Sequence, residues 1–397
     1  MKVLVAVDAQ LFRTEDGKVW TPTIYGYEFW TRYLDIFEEV VVVSRIKNAS
    51  FEEVKGFLRS DGEHITFRGL PFARGAKEYI KKFNAFRKEA KNAVEDVDCA
   101  IIRLPSIAAT FIEYYFRKTQ KPYVLEVVVD PNDAYAENKI AKELLTWHLK
   151  KAVLHANGVS YVTQFFLQKE YPSYSIRYGE DKTHFDTYYS SIMLKKDFFG
   201  EAKKFVNHPK KYKIVHTANN VNNYIKGHDV LINAVKILRD GGYDIEVIFI
   251  GDGKKREEFL NLADSLGIRK YVNFTGLLPS ASEVRKVLID SDMFVFPTKA
   301  EGLPRAVIEA MAVGLPCIST PVNGIPELLD REFLLNPNDT EGFAEKISFL
   351  VDNPLIMEKC SLRNISKAYE YEQNVLQSRR NKFYTKLREL AINNVIK

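Results

Sequence analysis

The chain has 397 residues, too many for one ordinary hydrophobic core, and this length predicts two α/β domains of roughly 180 residues each. The 46% apolar and 27% charged residues are typical of a globular protein and exclude wholesale disorder or a membrane-embedded body. The net charge of +5 is mild and singles out no class of partner, while three widely separated cysteines support neither a disulfide framework nor a zinc site.

The N-terminal apolar run is short. It extends only from Val3 to Val7 before Asp8, which is insufficient for a signal peptide or a spanning helix. We therefore expect a cytoplasmic protein whose cysteines stay reduced.

In the first half of the chain, short β-branched runs alternate with amphipathic segments, a pattern typical of βαβ units around a parallel sheet. Gly26 precedes a helical segment from Tyr27 and is a candidate contact for an anion at that helix start. A further helix is predicted over residues 51–58. The predicted buried strands are residues 2–7, 40–43, 99–102, 123–129 and 159–162. Together they predict one doubly wound domain.

Residues 74–91 combine seven basic residues with apolar side chains at helical spacing. The apolar positions are Tyr79, Ile80, Phe83, Phe86 and Ala90. One interpretation is a helix that packs on its sheet with the lysines in water. The other is a docking face for an anionic membrane surface, which would place the protein peripherally on the inner face of the cell membrane.

Residues 173–207 follow neither period and predict the irregular end of the first domain plus a linker. The strands predicted after them are residues 213–216, 246–250, 272–274, 293–296 and 317–320. Between these strands, Ser280 is predicted to cap one helix and Gly314 to end the helix that contains Glu309. After Pro354 the chain is predicted to be helical to its end.

These patterns predict a Rossmann-like domain over residues 1–200 and a second one over residues 201–375. Residues 376–397 are predicted to form the last helix.

The segment FVFPTKAEGLPRAVIEAMAVGLPCIST, residues 294–320, is the most informative. A buried strand ends at Pro297, a loop carries Glu301 and Gly302, and Pro304 suits the first turn of a helix. That helix would begin at the C-terminal edge of a parallel sheet, where α/β folds bind ligands. Its unpaired N–H groups and partial positive charge would suit a diphosphate.

The two carboxylates of this segment predict what flanks the anion site. A fully helical separation would place Glu301 and Glu309 about 12 Å apart, too far to share a proton but suited to two hydroxyl-bearing groups. A nucleotide sugar has that shape, with a diphosphate between two sugars. The alternative is that Glu301 caps the helix and Glu309 lies on its solvated side.

This segment resembles glycosyltransferase family 4, whose pattern places a Glu, seven residues and a second Glu in the same strand, loop and helix. EGLP from Glu301 and EAMAVGLP from Glu309 match that pattern. The resemblance extends, in family order, through KGHDVLINAV from Lys226, IGDG from Ile250, FTG from Phe274 and SDMFVFP from Ser291.

The resemblance implies a GT-B fold, with two Rossmann-like doubly wound domains facing across a cleft and a last helix, residues 376–397, that returns to the N-terminal domain. It implies an acceptor on the N-terminal domain and a nucleotide sugar on the C-terminal one. The implied activity is a retaining transfer from a nucleotide diphosphate sugar, UDP-linked in preference to GDP-linked, to a hydroxyl of a growing polysaccharide or glycolipid such as capsule or lipopolysaccharide. The expected partners are this donor and a saccharide or lipid-linked saccharide acceptor, with no cofactor, no metal and no nucleic acid.

The resemblance also assigns roles to individual residues. Glu301 is implied to bind donor-sugar hydroxyls, Glu309 the ribose hydroxyls and Lys226 the diphosphate, whose growing negative charge an ammonium would stabilise. The remaining implied donor contacts are the main chain of Gly302 and Leu303 beside Pro304, and the main chain of Leu277 at the base.

Three places depart from the family pattern. The usual Arg before Lys226 is missing from TANNVNNYIKG, where Asn220 is predicted to donate uncharged hydrogen bonds to the donor instead. Near the end of YVLEVVVDP, where the family has His or Arg, Asp130 is predicted to contact the acceptor, with a loop-capping role as the alternative. The entry to the first helix, at Gly26, is less rich in glycine than usual.

Two alternative functions remain. The missing Arg and His would suit a catalytically impaired sugar-nucleotide-binding subunit, and the same architecture hosts nucleotide-sugar epimerases. The Asp pairs at 96 and 98 and at 290 and 292 are assigned to turns before strands and not to a metal site.

Overall fold

The computed structural model describes residues 1–135, 138–207 and 211–395. The chain divides into two compact units. Unit 1 comprises Met1–Tyr189 and Gln377–Lys397, and unit 2 comprises Ser190–Leu376. The structural boundaries thus follow Tyr189 and Leu376, whereas the sequence-based ones followed residues 200 and 375. Residues 396–397 of the predicted terminal helix lie outside the described residues.

Unit 1 is built on one large sheet. Its strands are β1 (Lys2–Ala6), β2 (Leu11–Arg13), β3 (Val19–Thr21), β4 (Glu39–Asn48), β5 (Leu58–Arg59), β6 (Ile65–Leu70), β7 (Cys99–Leu104), β8 (Tyr123–Val127), β9 (Gly158–Tyr161) and β10 (Phe185–Tyr188). They lie in the order β10-β9-β8-β7-β1-β4-β2-β3-β5, and β6 also pairs with β4. All pairs are parallel except those of β3 with β2 and β5.

Short helices connect these strands. They are α1 (Tyr27–Thr31), α2 (Gly75–Lys81), α3 (Phe83–Ala93), α4 (Ile107–Arg117), α5 (Pro131–Ala134), α6 (Lys139–His155), α7 (Phe166–Glu170) and α8 (Tyr174–Tyr178). The central strands are buried on both faces, so they are near-continuous apolar runs such as the four valines of β4. The five strands predicted in this half are all present.

The prediction of a helix over residues 51–58 is wrong. This segment forms turns and leads into β5. Gly56 adopts a left-handed φ of 81°, which ends any helix there. Val54 is buried, but Phe51 and Leu58 are each 55% exposed, so a helix here would bury no continuous apolar face.

The segment predicted to be irregular, residues 173–207, contains regular structure. It forms α8 and then β10, which extends the sheet by pairing with β9. The alternation in β10 is too short and too polar to stand out from the sequence, and its neighbour β9 supplies the hydrogen bonds that define it.

Unit 2 holds a five-stranded parallel sheet. Its strands are β11 (Lys211–Asn220), β12 (Asp244–Asp252), β13 (Val272–Gly276), β14 (Met293–Val295) and β15 (Cys317–Ile318). Its helices are α9 (His228–Asp240), α10 (Arg256–Ser265), α11 (Ala281–Ile289), α12 (Arg305–Ala312), α13 (Thr340–Asp352) and α14 (Pro354–Ala368). The order β13-β12-β11-β14-β15 is that of a doubly wound Rossmann-like sheet.

The elements predicted in the second half are present. Val230, Ala234 and Leu238 bury the inner face of α9, as their spacing predicted. Ser280 caps α11 by accepting a hydrogen bond from the Glu283 N–H. Gly314 follows α12 with a left-handed φ of 78°. The last helix, α15 (Gln373–Val395), follows α14, and most of it belongs to unit 1.

Within the described ranges, no helix is long and apolar enough to cross a membrane.

Candidate functional site

Lys226 lies in a tight turn between β11 and α9. The turn continues through Gly227, which has a left-handed φ of 70°. A Cβ atom at Gly227 would lie 2.1 Å from the carbonyl oxygen of Pro297, so only glycine fits where the turn meets the end of β14. The carbonyl of Lys226 accepts a hydrogen bond of 2.8 Å from Nε2 of the buried His216. The backbone of Lys226 is therefore fixed from two sides.

The loop after β14 is joined to this turn. The Lys299 N–H donates to the Ile225 carbonyl at 2.8 Å. The ammonium of Lys226 contacts the Glu301 carboxylate and donates to the Ala300 carbonyl at 3.0 Å. Both charged side chains are partly buried, with 25% and 21% of their surfaces exposed. Residues 75 positions apart thus form one charged pair at the C-terminal edge of the sheet.

A third loop, after β15, orients Glu301. The Asn323 side-chain amide donates to the Glu301 carbonyl at 2.7 Å, and the Gly324 N–H donates to the Gly302 carbonyl at 3.0 Å. These bonds fix the backbone that follows the Glu301 Cα, and the bond from Lys226 to the Ala300 carbonyl fixes the backbone before it. The fold therefore holds the residue that carries the carboxylate in place.

Helix α12 begins directly after this loop, with Pro304 at its N-cap. Gly302, Leu303 and Pro304 are buried. Within the described residues, the N–H groups of Gly302 and Leu303 have no hydrogen-bond acceptor. Unpaired N–H groups beside a helix N-terminus are suited to an anion, and anion binding here stays a prediction.

Glu309 lies on α12 beyond its first turn. Part of its surface remains exposed, but protein surrounds the carboxyl on most sides, and this desolvation raises its pKa to about 7. Arg305, four residues earlier, acts in the opposite direction. No hydrogen bond to the carboxylate is found among the described residues. Glu309 is therefore only partly exposed on its helix, and its contact with the ribose hydroxyls stays a prediction.

Two buried histidines pack beneath the turn that carries Lys226. His216 and His228 are fully buried, with ring centroids 4.4 Å apart, and His228 stacks on Phe259. Burial lowers the pKa of His216 to about 4 and that of His228 to about 2. Both rings are therefore neutral at neutral pH, and they add no charge to the site above them.

Two further predicted donor contacts lie at strand ends of the same sheet: Leu277, predicted at the nucleotide base, and Asn220, predicted to act in place of the usual Arg. Leu277 follows β13 and is 62% exposed, and Asn220 ends β11 opposite Asp252 of β12. Nearby, Gly251 has no room for a side chain because a Cβ atom would lie 1.8 Å from the Ala218 carbonyl. The IGDG segment thus serves close packing between strand ends.

Two predicted site residues belong to unit 1. Gly26 is the N-cap of α1, where a helix start was predicted. Asp130 caps α5 by accepting a hydrogen bond from the Asn132 N–H at 2.9 Å, and the Tyr171 hydroxyl donates to the same carboxylate oxygen at 2.6 Å. The structure therefore supports the loop-capping alternative for Asp130, and its contact with an acceptor stays a prediction.

The two Asp pairs fulfil the same structural role in both units. Asp98 accepts a hydrogen bond from the Lys2 N–H, and Asp292 accepts one from the Lys213 N–H, both at 2.7 Å. Each carboxylate aligns the starts of two parallel strands. Among the residues that the structure describes, no group of three or more His, Cys, Asp and Glu could hold a metal ion.

The structure thus brings Lys226, Glu301, Gly302 and Leu303 together at the start of α12, the helix that carries Glu309. Sequence reasoning missed Asn323, the residue that fixes Glu301. Its signal was the Asn-Gly pair in PVNGIPE, which favours a turn, and Asn323 does adopt a left-handed φ of 47°.

Comparison with known proteins gives an independent view of the same half. Residues 198–370, less than half of the chain, match the sequence model of the family described as Glycosyl transferases group 1. The chain is 26% identical over 362 residues to protein CapJ of Staphylococcus aureus, covering 90% of this chain and 85% of CapJ. It is 33% identical over 132 residues to the putative colanic acid biosynthesis glycosyltransferase WcaL of Escherichia coli, covering 31% of this chain and 32% of WcaL.

Solved structures extend the likeness to both units. The crystal structure of Anabaena HepE in complex with UDP has a TM-score of 0.68 at 15% identity, covering 97% of this chain and 100% of HepE. This likeness confirms the predicted GT-B class, with two Rossmann-like domains. The family match and the relatives together support glycosyltransferase activity, and the narrower assignment to family 4 stays a prediction.

Proposed function

We propose that the chain is a retaining glycosyltransferase that uses a nucleotide diphosphate sugar, preferably UDP-linked. The observation that carries this proposal is the grouping of the Lys226 ammonium, the Glu301 carboxylate and two unpaired backbone N–H groups at the start of α12. The HepE structure, which was determined with UDP, supports the choice of base.

Each group fits one part of such a donor. The N–H groups of Gly302 and Leu303 bind the diphosphate, and Lys226 adds a positive charge beside it. Glu301 accepts hydrogen bonds from hydroxyls of the transferred sugar. Glu309 accepts hydrogen bonds from the two ribose hydroxyls, which its carboxylate can do without competition from a protein donor.

The reaction proceeds by displacement on one face of the donor sugar. The bond between the anomeric carbon and the diphosphate oxygen breaks, and the acceptor oxygen bonds to that carbon on the same face. The acceptor hydroxyl proton passes to the departing phosphate oxygen. Lys226 and the start of α12 stabilise the negative charge that the diphosphate gains, and the fixed loops position the reactants.

The acceptor is a hydroxyl of a saccharide or lipid-linked saccharide, and unit 1 binds it through Asp130. Gly26, at the start of α1, is the candidate contact for an anion in the same unit. The similarity to WcaL, a putative colanic acid biosynthesis glycosyltransferase, supports a polysaccharide acceptor. Residues 74–91 would bring the protein to an anionic membrane surface, on the inner face of the cell membrane.

Donor binding by the Glu309→Ala variant tests the proposal. A panel of UDP- and GDP-sugars is first screened for thermal stabilisation of the wild-type chain, because a ligand that binds only the folded state raises its melting temperature. The Kd of the best donor should rise tenfold or more in Glu309→Ala. Glu345→Ala is the matched control, since Glu345 is an exposed glutamate on α13 of the same unit.

Product analysis then separates the proposed reaction from its alternatives. Transfer to an acceptor with the anomeric configuration retained is expected. Conversion of the donor sugar into its epimer without an acceptor would indicate an epimerase, and donor binding without hydrolysis or transfer would indicate a binding subunit. Unchanged donor affinity in Glu309→Ala would contradict the role of that carboxylate.

A further inference from the structure

Helix α6 of unit 1 exposes a continuous apolar stripe. Ile140, Leu144 and Trp147 are 80%, 60% and 55% exposed, although their spacing of four and three residues places them on one face of the helix. The opposite face, with Leu145 and Leu149, is buried against unit 1. The helix is therefore held in place by one apolar face while a second apolar face points to solvent.

Positive charge lies beside this stripe. Helix α6 carries four lysines, at positions 139, 142, 150 and 151, against one acidic residue, Glu143. The Lys151 ammonium lies over the Trp147 ring at 4.0 Å from its centroid. A lysine that covers an exposed aromatic ring in this way combines an apolar contact surface with a cationic end.

Two neighbouring helices pack beside α6 in unit 1. Helix α4 packs against α6 through His148, whose Nε2 bonds to Glu113 at 3.1 Å. It packs against α3 through Phe111, whose ring lies 5.3 Å from that of the buried Phe86. Helices α3, α4 and α6 therefore form one layer on the sheet of unit 1.

This layer repeats the combination of exposed apolar rings and cations. Phe83 at the start of α3 is 49% exposed with Arg87 near its ring, and Tyr114 of α4 is 44% exposed with the Lys118 ammonium 4.2 Å from its ring centroid. Ile80 of α2 is 76% exposed. Residues 74–93 carry seven Lys and Arg against two Glu.

We propose that α6 is a membrane-insertion helix, whose Ile140, Leu144 and Trp147 enter the interface of an anionic bilayer while the lysines of α6 and of residues 74–93 contact lipid phosphates. An amphipathic helix with apolar and aromatic residues on one face and lysines beside them suits this position. The basic character of the layer selects an anionic lipid surface over a second copy of this chain, because two identical lysine-rich faces would repel each other.

This inference rests on the proposed function for the acceptor, which would then be held at the membrane, but lipid binding is measured without any sugar transfer. The wild-type chain is titrated with vesicles of phosphatidylcholine alone and of phosphatidylcholine with phosphatidylglycerol, and bound protein is separated by sedimentation. We expect binding to the anionic vesicles and little to the neutral ones.

Two variants of α6 test the two contributions separately. Ile140→Ser, Leu144→Ser and Trp147→Ser combined should weaken binding to anionic vesicles tenfold or more. Replacement of a single α6 lysine by glutamine should weaken it by about fivefold, the contribution of one cation near an anionic surface. The matched control combines Leu355→Ser and Leu362→Ser, two leucines of α14 that are each 65% exposed, and should bind like the wild type.

Melting temperatures and the thermal shift with nucleotide sugar are recorded for every variant. If that shift is absent while vesicle binding behaves as expected, the proposed function fails and the membrane site stands. Equal vesicle binding by the triple serine variant and the wild type overturns the inference, as does wild-type binding that ignores lipid charge. It is also overturned if the wild type forms a dimer that the triple variant does not form and binds neither vesicle.

Discussion

At the scale of single residues, the site places two glutamates in different surroundings. Glu301 contacts the ammonium of Lys226, an opposite charge. Glu309 has no such partner within the described part of the chain, and desolvation raises its pKa to about 7. Near neutral pH, Glu309 therefore populates both protonation states. The charged carboxylate can accept hydrogen bonds from two hydroxyls, whereas the neutral carboxyl makes the folded state more stable.

The pH dependence of stability in Glu309→Gln follows from this conflict. Because the pKa of Glu309 is higher in the folded state than the ordinary 4.5, its protonated form stabilises the fold below about pH 4.5, and this contribution is lost as the pH rises through 7. Glutamine keeps the neutral shape at every pH. At pH 8 the variant should melt roughly 2–4 °C above the wild type, as about 1 kcal/mol would produce in a domain of this size. At pH 5 the difference should vanish.

Calorimetric melting at both pH values, with Glu345→Gln as the exposed control, measures this effect. The same Glu309→Gln substitution should weaken donor binding, which is the usual exchange between stability and activity at a functional site. A variant less stable than the wild type at pH 8 would show that the carboxylate makes a favourable contact that outweighs its desolvation.

At the scale of elements, the start of α9 depends on the close contact between Gly227 and Pro297. Alanine at Gly227 would meet the left-handed φ of 70°, which costs about 1–2 kcal/mol, and would also place its Cβ 2.1 Å from the Pro297 carbonyl. The turn must then shift and take Lys226 with it. We expect Gly227→Ala to lower the melting temperature by well over 4 °C and to abolish detectable donor binding, both measured by thermal shift.

Gly242→Ala is the control that separates the effect of the close contact with Pro297 from the cost of the left-handed backbone conformation. Gly242 follows the same helix with a φ of 86°, but nothing lies within 4 Å of its added Cβ. It should therefore lose only the 1–2 kcal/mol of the left-handed conformation and bind the donor normally. Equal behaviour of the two variants would mean that the contact with Pro297 does not fix Lys226.

The elements predicted correctly from the sequence share one property: a local pattern of apolar residues shows which side chains will be buried. The valine run of β4 and the stripe of α9 are of this kind. The elements it missed, such as β5 and β10, have two or four residues, and strands well separated along the chain supply their hydrogen bonds. Pairing with a distant strand leaves no periodicity to detect.

The same distinction applies to the site. The spacing from Glu301 to Glu309 and the helix start at Pro304 are local, and both were predicted from one segment. The contact between Lys226 and Glu301, and the bond from Asn323 to the Glu301 carbonyl, join three loops at the edge of a sheet. Parallel topology places these loops side by side, so only the fold reveals which side chains meet.

At the scale of the whole molecule, the two units respond to acid through different groups. In unit 1, burial opposes the charge of Glu126, but Arg103 at 2.6 Å and the hydroxyls of Tyr189 and Tyr384 outweigh it and keep the pKa of Glu126 below its usual 4.5. That stabilisation is lost only as the pH falls below about 4.5. In unit 2, the buried histidines are neutral when folded and take up protons on unfolding below about pH 6.5, so acid destabilises this unit at a higher pH.

The number of protons that unit 2 binds in its folded and unfolded states predicts how its stability changes with pH. His216 and His228 have ordinary pKa values of 6.5 when unfolded but about 4 and about 2 when folded, so below pH 6.5 the unfolded state binds two more protons. Glu309 acts oppositely, because its folded form binds one proton more down to about pH 4.5. The unfolded state therefore binds more protons than the folded state in this range, and the stability of unit 2 should fall as the pH drops from 6.5 to 4.5.

Unit 2 should therefore unfold at a higher pH than unit 1, and two optical signals can separate the events. The three tryptophans, Trp20, Trp30 and Trp147, all lie in unit 1, whereas far-ultraviolet circular dichroism reports both units. On acidification, part of the circular dichroism signal should be lost before the tryptophan emission changes.

The variant His228→Leu tests the role of the buried histidines. It removes one titrating ring whose two nitrogens have no partner among the described residues, so it should largely abolish the loss of dichroism between pH 6.5 and 4.5. His155→Gln, at an exposed position of α6, should leave it unchanged. Simultaneous loss of both signals, with the same pH dependence in His228→Leu, would mean that buried histidines do not set the acid stability of this protein.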